Sequence, residues 1–253
     1  MHQVRPKKFL GQHFLTDLSV AQRIADTVDL CPDLPILEVG PGLGVMTQYL
    51  MKKGRPLKVV ELDFESVAYL RKTFPTLEDD IIEDDFLKMH LDNTFGSQFV
   101  LTGNYPYNIS SQIFFKMLEF KDYIPCCTGM IQKEMAERLA ARPGTKAYGI
   151  ITVLLGLWYD VEYLFTVPPT VFNPPPKVQS AVICMRRNGV SEIGCNERLL
   201  TRLVKQAFQQ RRKMLRVSLR GILPENHPFS TQRPEQLSIE EFIQLTNDVE
   251  KQV

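Results

Sequence analysis

The chain has 253 residues, 30 Lys and Arg against 29 Asp and Glu, and 44% apolar residues. These proportions exclude wholesale disorder and a fibrous protein. Mean hydropathy of −0.13, with no uncharged run approaching about 18 residues, excludes a transmembrane helix. The basic opening segment has its apolar stretch broken by Gly11, Gln12 and His13, so it does not read as a signal peptide. The 5 cysteines are odd in number and form no C-x-x-C pair. Reduced thiols are therefore expected, with neither a disulfide framework nor a Cys-rich zinc site.

Thr16-Asp17 can cap a first helix whose apolar positions Leu18, Ala21, Ile24, Ala25 and Val28 follow the helical period. Residues 35–39 read as a short buried strand, and a glycine turn at 40–44 leads into a helix through Lys53. A strand at 57–62 and a helix at 64–73 follow, then strands at 80–83, 99–103 and 128–132 with helices at 110–120 and 133–141. Strands alternating with helices imply parallel βαβ units in a doubly wound α/β sheet. Late strands at 161–167 and 178–185, joined by a proline-rich loop, can add an antiparallel edge. Composition shifts near Arg186-Arg187-Asn188-Gly189, so residues 1–188 read as one domain and 189–253 as a small α-helical second domain.

Net charge is only +1, but its distribution is uneven. Residues 78–85 carry six acids, whereas 198–220 carry Arg198, Arg202, Lys205, Arg211, Arg212, Lys213, Arg216 and Arg220 and no acid. A basic element of this kind points to nucleic-acid phosphates. If 198–220 is one helix, most of these cations share a face. A break near Gln209-Gln210 would split them into two clusters.

Three strand ends carry the candidate chemistry. Gly40, Gly42 and Gly44 follow the first strand and open a helix, the arrangement that lets backbone approach a ligand. The spacing is G-x-G-x-G rather than G-x-G-x-x-G, which disfavours a dinucleotide and an NAD-dependent oxidoreductase. Glu61 ends the next strand, where an acid accepts hydrogen bonds from ribose hydroxyls. Asp85, followed by Phe86, is placed to receive an adenine amine. Asn104-Tyr105-Pro106-Tyr107 follows the fourth parallel strand. An adenine amine is a poor nucleophile because its lone pair is delocalised into the ring. Two acceptors, the Asn104 amide oxygen and the Tyr105 carbonyl, can orient that lone pair. Pro106 fixes the backbone and Tyr107 can stack on a flipped-out base.

Five segments, in order, resemble one family, the rRNA adenine dimethyltransferases. They are residues 7–15 (KKFLGQHFL), 38–44 (EVGPGLG), 104–110 (NYPYNIS), 172–180 (FNPPPKVQS) and 208–213 (FQQRRK). The pattern is most similar to the bacterial small-subunit branch. Tyr105 is a departure, since the family usually has Leu there. The resemblance implies a Rossmann-like methyltransferase sheet, S-adenosyl-L-methionine as cofactor and no metal. It also implies dimethylation of two adjacent adenines near the 3′ end of small-subunit rRNA. By position it implies that His13, Leu15, Gly40, Gly42, Glu61, Asp85 and Asn104 meet the cofactor. It further implies that Tyr107 and Phe172 sandwich the target adenine. Arg211, Arg212, Lys213 and Arg216 are expected to meet RNA of the small ribosomal subunit. A cytoplasmic monomer is expected. Two rivals are a resistance-type large-subunit methyltransferase, disfavoured by the 172–180 and 208–213 segments, and an idle ribosome-assembly factor, disfavoured by the intact Asn104–Tyr107 segment.

Overall fold

The computed structural model describes Lys7 and residues 12–251. Lys8 to Gly11 of the first family segment lie outside the described residues.

A strand β1 (Phe14–Leu15) precedes helix α1 (Leu18–Ala25), whose N-cap Asp17 accepts the N–H groups of Ser19 (2.9 Å) and Val20 (3.2 Å). Helix α1 then tightens into a 3₁₀ turn at 26–30. Five parallel strands follow with their helices. They are β2 (Ile36–Val39) with α2 (Thr47–Leu50), β3 (Leu57–Glu61) with α3 (Phe64–Thr73), β4 (Ile81–Glu83), β5 (Val100–Thr102) with α4 (Ser110–Glu119), and β6 (Cys126–Gln132) with α5 (Lys133–Leu139). Next come α6 (Ile150–Gly156), β7 (Tyr159–Val167), β8 (Phe172–Asn173) and β9 (Ser180–Arg187), then α7 (Glu197–Gln209), α8 (Leu215–Ser218) and α9 (Ile239–Glu250).

The main sheet has the order β4-β3-β2-β5-β6-β9-β7, with β9 antiparallel to β6. The chain runs outward in both directions from β2. The crevice at the carboxyl ends of β2 and β5 is thus the topological switch point, where open α/β sheets take ligands. Every residue of β2 is buried, as expected of a parallel strand covered on both faces. Apolar residues of α1, α3 and the first strands form the core on one face, including Ile24, Ile36, Val59, Leu70 and Val100.

Contacts divide the chain into two units: residues up to Ala136 with Val161–Arg186, and Glu137–Asp160 with Arg187 onward. The expected boundary at 188/189 therefore misses residues 137–160. The reason is α6. Its run Ile150-Ile151-Thr152-Val153-Leu154-Leu155 is apolar on every side, so periodicity does not reveal a helix. It packs on α7, and Gly156 lies so close to α9 that a Cβ there would meet Ile239 Cδ1 at 2.5 Å. The second unit is helical in its C-terminal part, as expected. Its basic stretch is two helices, broken at Gln210 where α7 ends.

Two further expectations are corrected. The helix after the glycine turn is a single α turn plus a 3₁₀ turn at 51–53, not one helix through Lys53. Cys31 and Cys126 are joined as a disulfide across 95 residues, because the 26–30 turn delivers Cys31 to the start of β6. Cys127, Cys184 and Cys195 are free.

The central strands approach closely through two glycines. A Cβ at Gly129, where φ is +138°, would sit 2.3 Å from the Gly103 carbonyl oxygen. One at Gly103 would sit 2.5 Å from the Val39 carbonyl oxygen. Both obstacles are backbone and cannot step aside. Gly129→Ala is expected to cost about 3 kcal/mol of stability. A melting temperature within a degree or so of the parent would show that the sheet can open there at little cost.

Candidate active site

One cavity of about 230 Å³ lies at the switch point, within the first unit. Three strand ends and the N-terminal segment build it. His13, Leu15, Gly40, Gly42, Glu61, Asp85, Asn104, Tyr105, Pro106 and Tyr107 all line it. Phe172 does not. It pairs with Leu15 in the small β1–β8 ladder, is 4% exposed, and belongs to the hydrophobic core. Phe172 is thus packed in the core and away from this lining, and its place beside the target adenine is a proposal. The ring on Tyr107 is that of His13, stacked at 5.7 Å between centroids and 27° between planes.

The glycine turn has positive φ at Gly40, Gly42 and Gly44. Its N–H groups are largely spent. Gly40 donates to the Val60 carbonyl (2.9 Å), Gly44 to the Pro41 carbonyl (2.8 Å) and Gly42 to Glu61 Oε2 (3.0 Å). The three glycine N–H groups are thus taken up within the protein, unlike a nest that presents its donors to a pyrophosphate. A Cβ on Gly42 would press on the Phe14 ring at 3.2 Å, so this turn and the N-terminal segment are fitted together.

Glu61 is 7% exposed, and its Oε1 accepts the Asp63 N–H at 2.9 Å. Burial raises its carboxyl above the usual range, while the Asp63 and Gly42 N–H groups act in the opposite direction by favouring the ionised form. Asp63 caps α3 and accepts hydrogen bonds from Lys7 and Gln12, tying the first family segment to the β3 end. The Asp85 carboxylate accepts the Leu87 N–H (3.0 Å) and stands 3.4 Å from Lys88 Nζ.

Asn104 bridges to Met130 of β6, and the Tyr105 N–H donates to the Met130 carbonyl at 3.0 Å. The Asn104 Nδ2 donates to the His13 carbonyl at 3.4 Å, which leaves Oδ1 as the outward acceptor. The Tyr105 carbonyl accepts no hydrogen bond among the described residues. The Tyr105 side chain turns away into the sheet, fully buried, and donates to the Thr128 carbonyl (2.9 Å). Replacing the family's Leu with Tyr thus changes the core and not the cavity wall. Tyr107 hydroxyl bonds Ser180 at the start of β9. His13 Nδ1 lies 2.8 Å from the Pro174 carbonyl, an acceptor only, so that nitrogen carries the proton.

Sequence reasoning missed Glu38. It lies inside the fully buried β2, lines the cavity, and accepts Thr47 Oγ1 at 2.6 Å. An acid inside an apolar strand was the available signal. Burial pushes its carboxyl up to about 8, with the Thr47 bond opposing and the Glu61 charge adding to the rise. Asp84 and Leu62, also in the lining, carried no comparable signal.

The family model described as ribosomal RNA adenine dimethylase matches residues 3–251. The chain belongs to that family. It is accordingly an rRNA methyltransferase of the adenine-dimethylating kind. It is 68% identical over 256 residues to the ribosomal RNA small subunit methyltransferase A of Phocaeicola vulgatus, covering 99% of this chain and 91% of the relative. It is 67% identical to the protein of the same description from Bacteroides thetaiotaomicron, covering 99% and 96%. Among solved structures, a dimethyladenosine transferase from Plasmodium falciparum superposes with a TM-score of 0.78 over 94% of this chain and 98% of that one, at 24% identity, a likeness of fold. The 23S rRNA methyltransferase ErmE superposes with a TM-score of 0.67, at 26% identity, over 92% and 99%.

The Glu38 carboxyl gives a pH prediction. An unfolded chain releases this proton near 4.5, whereas the folded chain holds it to about 8. Between these values only the folded state binds the proton. Its stabilising contribution is thus complete below the lower value and is lost as pH rises through the upper one. Glu38→Gln keeps a neutral partner for Thr47. Its stability relative to the parent should therefore climb from about pH 5 to about pH 8, on the order of 1.4 kcal/mol per unit at most. Parallel thermal melts check this, and a pH-independent difference would mean that Glu38 is ionised throughout.

Proposed function

We propose that the chain transfers methyl groups from S-adenosyl-L-methionine to the exocyclic amines of two adjacent adenines near the 3′ end of small-subunit rRNA. The observation that carries this reading is the Asn104 amide, pinned by the His13 carbonyl so that Oδ1 faces the cavity beside an unbonded Tyr105 carbonyl. Two acceptors at a strand end suit the two N–H bonds of an adenine amine. They draw its lone pair out of the ring's conjugation and aim it.

The cavity residues fit the cofactor. Glu61 keeps acceptor capacity for ribose hydroxyls beyond its two backbone bonds, and the glycine turn offers no pyrophosphate cradle. Gly40, Gly42, His13, Leu15 and Asp85 all line the cavity, which supports reading the glycines as backbone against the ligand and Asp85 as the acceptor for its adenine amine. When bound, the cofactor supplies an electrophilic sulfonium methyl. This chain's part is to bind, orient and exclude water. No strong base is required, because a methylated amine is acidic enough to lose its proton to water. Tyr107, with its hydroxyl held by Ser180, offers the stacking surface for the base.

The second unit is read as the RNA-docking element. Arg212, Lys213 and Arg216 are exposed and Arg211 is half-buried, its guanidinium donating to the Thr145 carbonyl at 3.0 Å. Arg198, Arg202 and Lys205 project from α7 along a shallow groove in the same unit. None of these cations has a carboxylate within 4 Å among the described residues, so Glu235, Glu240 and Glu241 do not neutralise them. Phosphate contacts of this kind fix register without reading sequence. The small-subunit substrate follows the relatives' description, and the enzyme is placed in the cytoplasm, as a monomer needing no metal. No helix among the described residues is long and apolar enough to cross a membrane.

Methyl incorporation into undermethylated small subunits tests the reading, with the large subunit as comparison. Asn104→Ala should lose about a hundredfold or more in rate with cofactor affinity little changed. Near-normal turnover would transfer the orienting role to the Tyr105 carbonyl. Glu61→Ala should weaken S-adenosyl-L-methionine binding by about 1–3 kcal/mol in titration calorimetry, and an unchanged affinity removes Glu61 from the site. Replacing Arg211, Arg212 and Lys213 by Glu should weaken subunit binding and leave cofactor binding alone. The salt slope of subunit binding should fall by about one per lost phosphate contact. Parental slope and affinity would sink the docking role.

A further inference from the structure

Three sulfur atoms meet away from the cavity, at the amino-terminal end of β6. Cys31 follows the 26–30 turn, Cys126 opens β6, and Cys184 lies in β9. In the β6–β9 ladder Cys126 pairs with Arg186 and Cys184 with Thr128, so the two cysteines are diagonal neighbours. Their Sγ atoms are 3.9 Å apart, and the three sulfurs all lie within 4.8 Å of one another. Cys126 and Cys184 are fully buried, whereas Cys31 is half-buried and opens the cluster to solvent. None of the three lines the cavity, and the methyl transfer uses none of them.

We propose that, with the Cys31–Cys126 disulfide reduced, these three cysteines form a thiolate site for one thiophilic metal ion of the zinc type. Zinc–sulfur bonds of about 2.3 Å in tetrahedral array set sulfurs roughly 3.8 Å apart. The Cys126–Cys184 pair already stands at that separation. Only Cys31, beside a solvent-facing turn, has to withdraw from bonding distance. Its open side leaves a fourth position to water. Reduction adds two electrons and two protons to the sulfur–sulfur bond, drawn from a phosphine or dithiol that is itself oxidised. Metal binding then releases the thiol protons and moves no electron.

The charges around the cluster suit this occupant. Three thiolates and a divalent ion leave one negative charge. The Arg186 guanidinium stands beside Cys184, held by the Leu30 carbonyl (3.1 Å) and Glu162 (3.0 Å). Soft sulfur donors without carboxylate or imidazole select zinc-like or cuprous ions over magnesium and calcium. Bound there, the ion would join the turn after α1 to β6 and β9, the same elements that the disulfide and Arg186 join in the oxidised chain.

The test uses the full chain, reduced with a phosphine under inert gas, stripped with a chelator and desalted. Cadmium alone is then added. Thiolate-to-cadmium absorption in the ultraviolet should saturate at one equivalent, and the oxidised chain with its disulfide intact should show none. Cys195→Ser should keep the band. Cys184→Ser should lose the one-equivalent saturation, and so should Cys31→Ser, whose half-buried position tolerates the change if the buried variant fails to fold. The proposal is overturned by a reduced parent with all five thiols titratable and no band. It is equally overturned by a folded Cys31→Ser or Cys184→Ser variant that saturates like the parent.

Discussion

The Glu61 carboxylate accepts the backbone N–H groups of Gly42 and Asp63, and the rest of the cavity depends on that pair of bonds. They lock the turn after β2 to the end of β3, although nothing covalent joins those ends across the crevice. A neutral side chain at position 61 would leave two buried N–H groups competing for one weaker acceptor. A shorter one would leave them unpartnered, at a cost of about 1–3 kcal/mol for each. The same side chain also lines the cavity, so on the proposed reading one residue both shapes the site and faces its ligand. Glu38 sits in the same crevice with a different set of donors. Among the described residues its carboxyl accepts Thr47, and burial pushes it up to about 8, whereas the rise that burial causes at Glu61 is opposed by backbone N–H groups.

The reacting end is held from a second direction. The β1–β8 ladder sets Phe14 opposite Asn173 and Leu15 opposite Phe172, so the N-terminal segment and the proline-rich loop form a single strap. From that strap the His13 carbonyl orients Asn104, the His13 imidazole covers Tyr107, and Pro174 fixes the imidazole. An amide side chain is nearly symmetric in shape and is told apart only by its hydrogen bonds. A backbone acceptor on the Nδ2 side therefore leaves Oδ1 as the free acceptor of this amide. Two family segments distant in sequence serve one geometric purpose here.

The parallel strands, their order of appearance and the strand-end residues were legible because each signal is local. Gly40, Glu61 and Asn104 each follow a short apolar run, and such runs in an α/β chain end where ligands bind. The burial of Phe172 was not legible because its neighbours describe a loop, while its packing comes from pairing with Leu15 more than 150 residues away. Helix α6 was missed because an apolar run has no period to read. The disulfide was missed for a like reason. Cysteine spacing in sequence holds no information about a turn delivered to a strand 95 residues later.

The division of labour proposed for the two units follows from what each chemistry requires of charge. An amine that must act as a nucleophile has to arrive neutral, next to acceptors and away from cations that would withdraw its lone pair. The cavity provides this. Its lining has acids, amides, carbonyls and aromatic rings, with no Lys or Arg among the described residues. A polyanionic substrate requires the reverse, exposed cations, and α7, α8 and the turn between them carry cations with no carboxylate within 4 Å among the described residues. Had the arginines been placed at the strand ends, they would have strengthened phosphate binding and weakened the acceptors that aim the amine. On the proposed reading, RNA affinity would be set by the cations of the second unit, with its salt dependence, and the aim of the amine by the acceptors of the first.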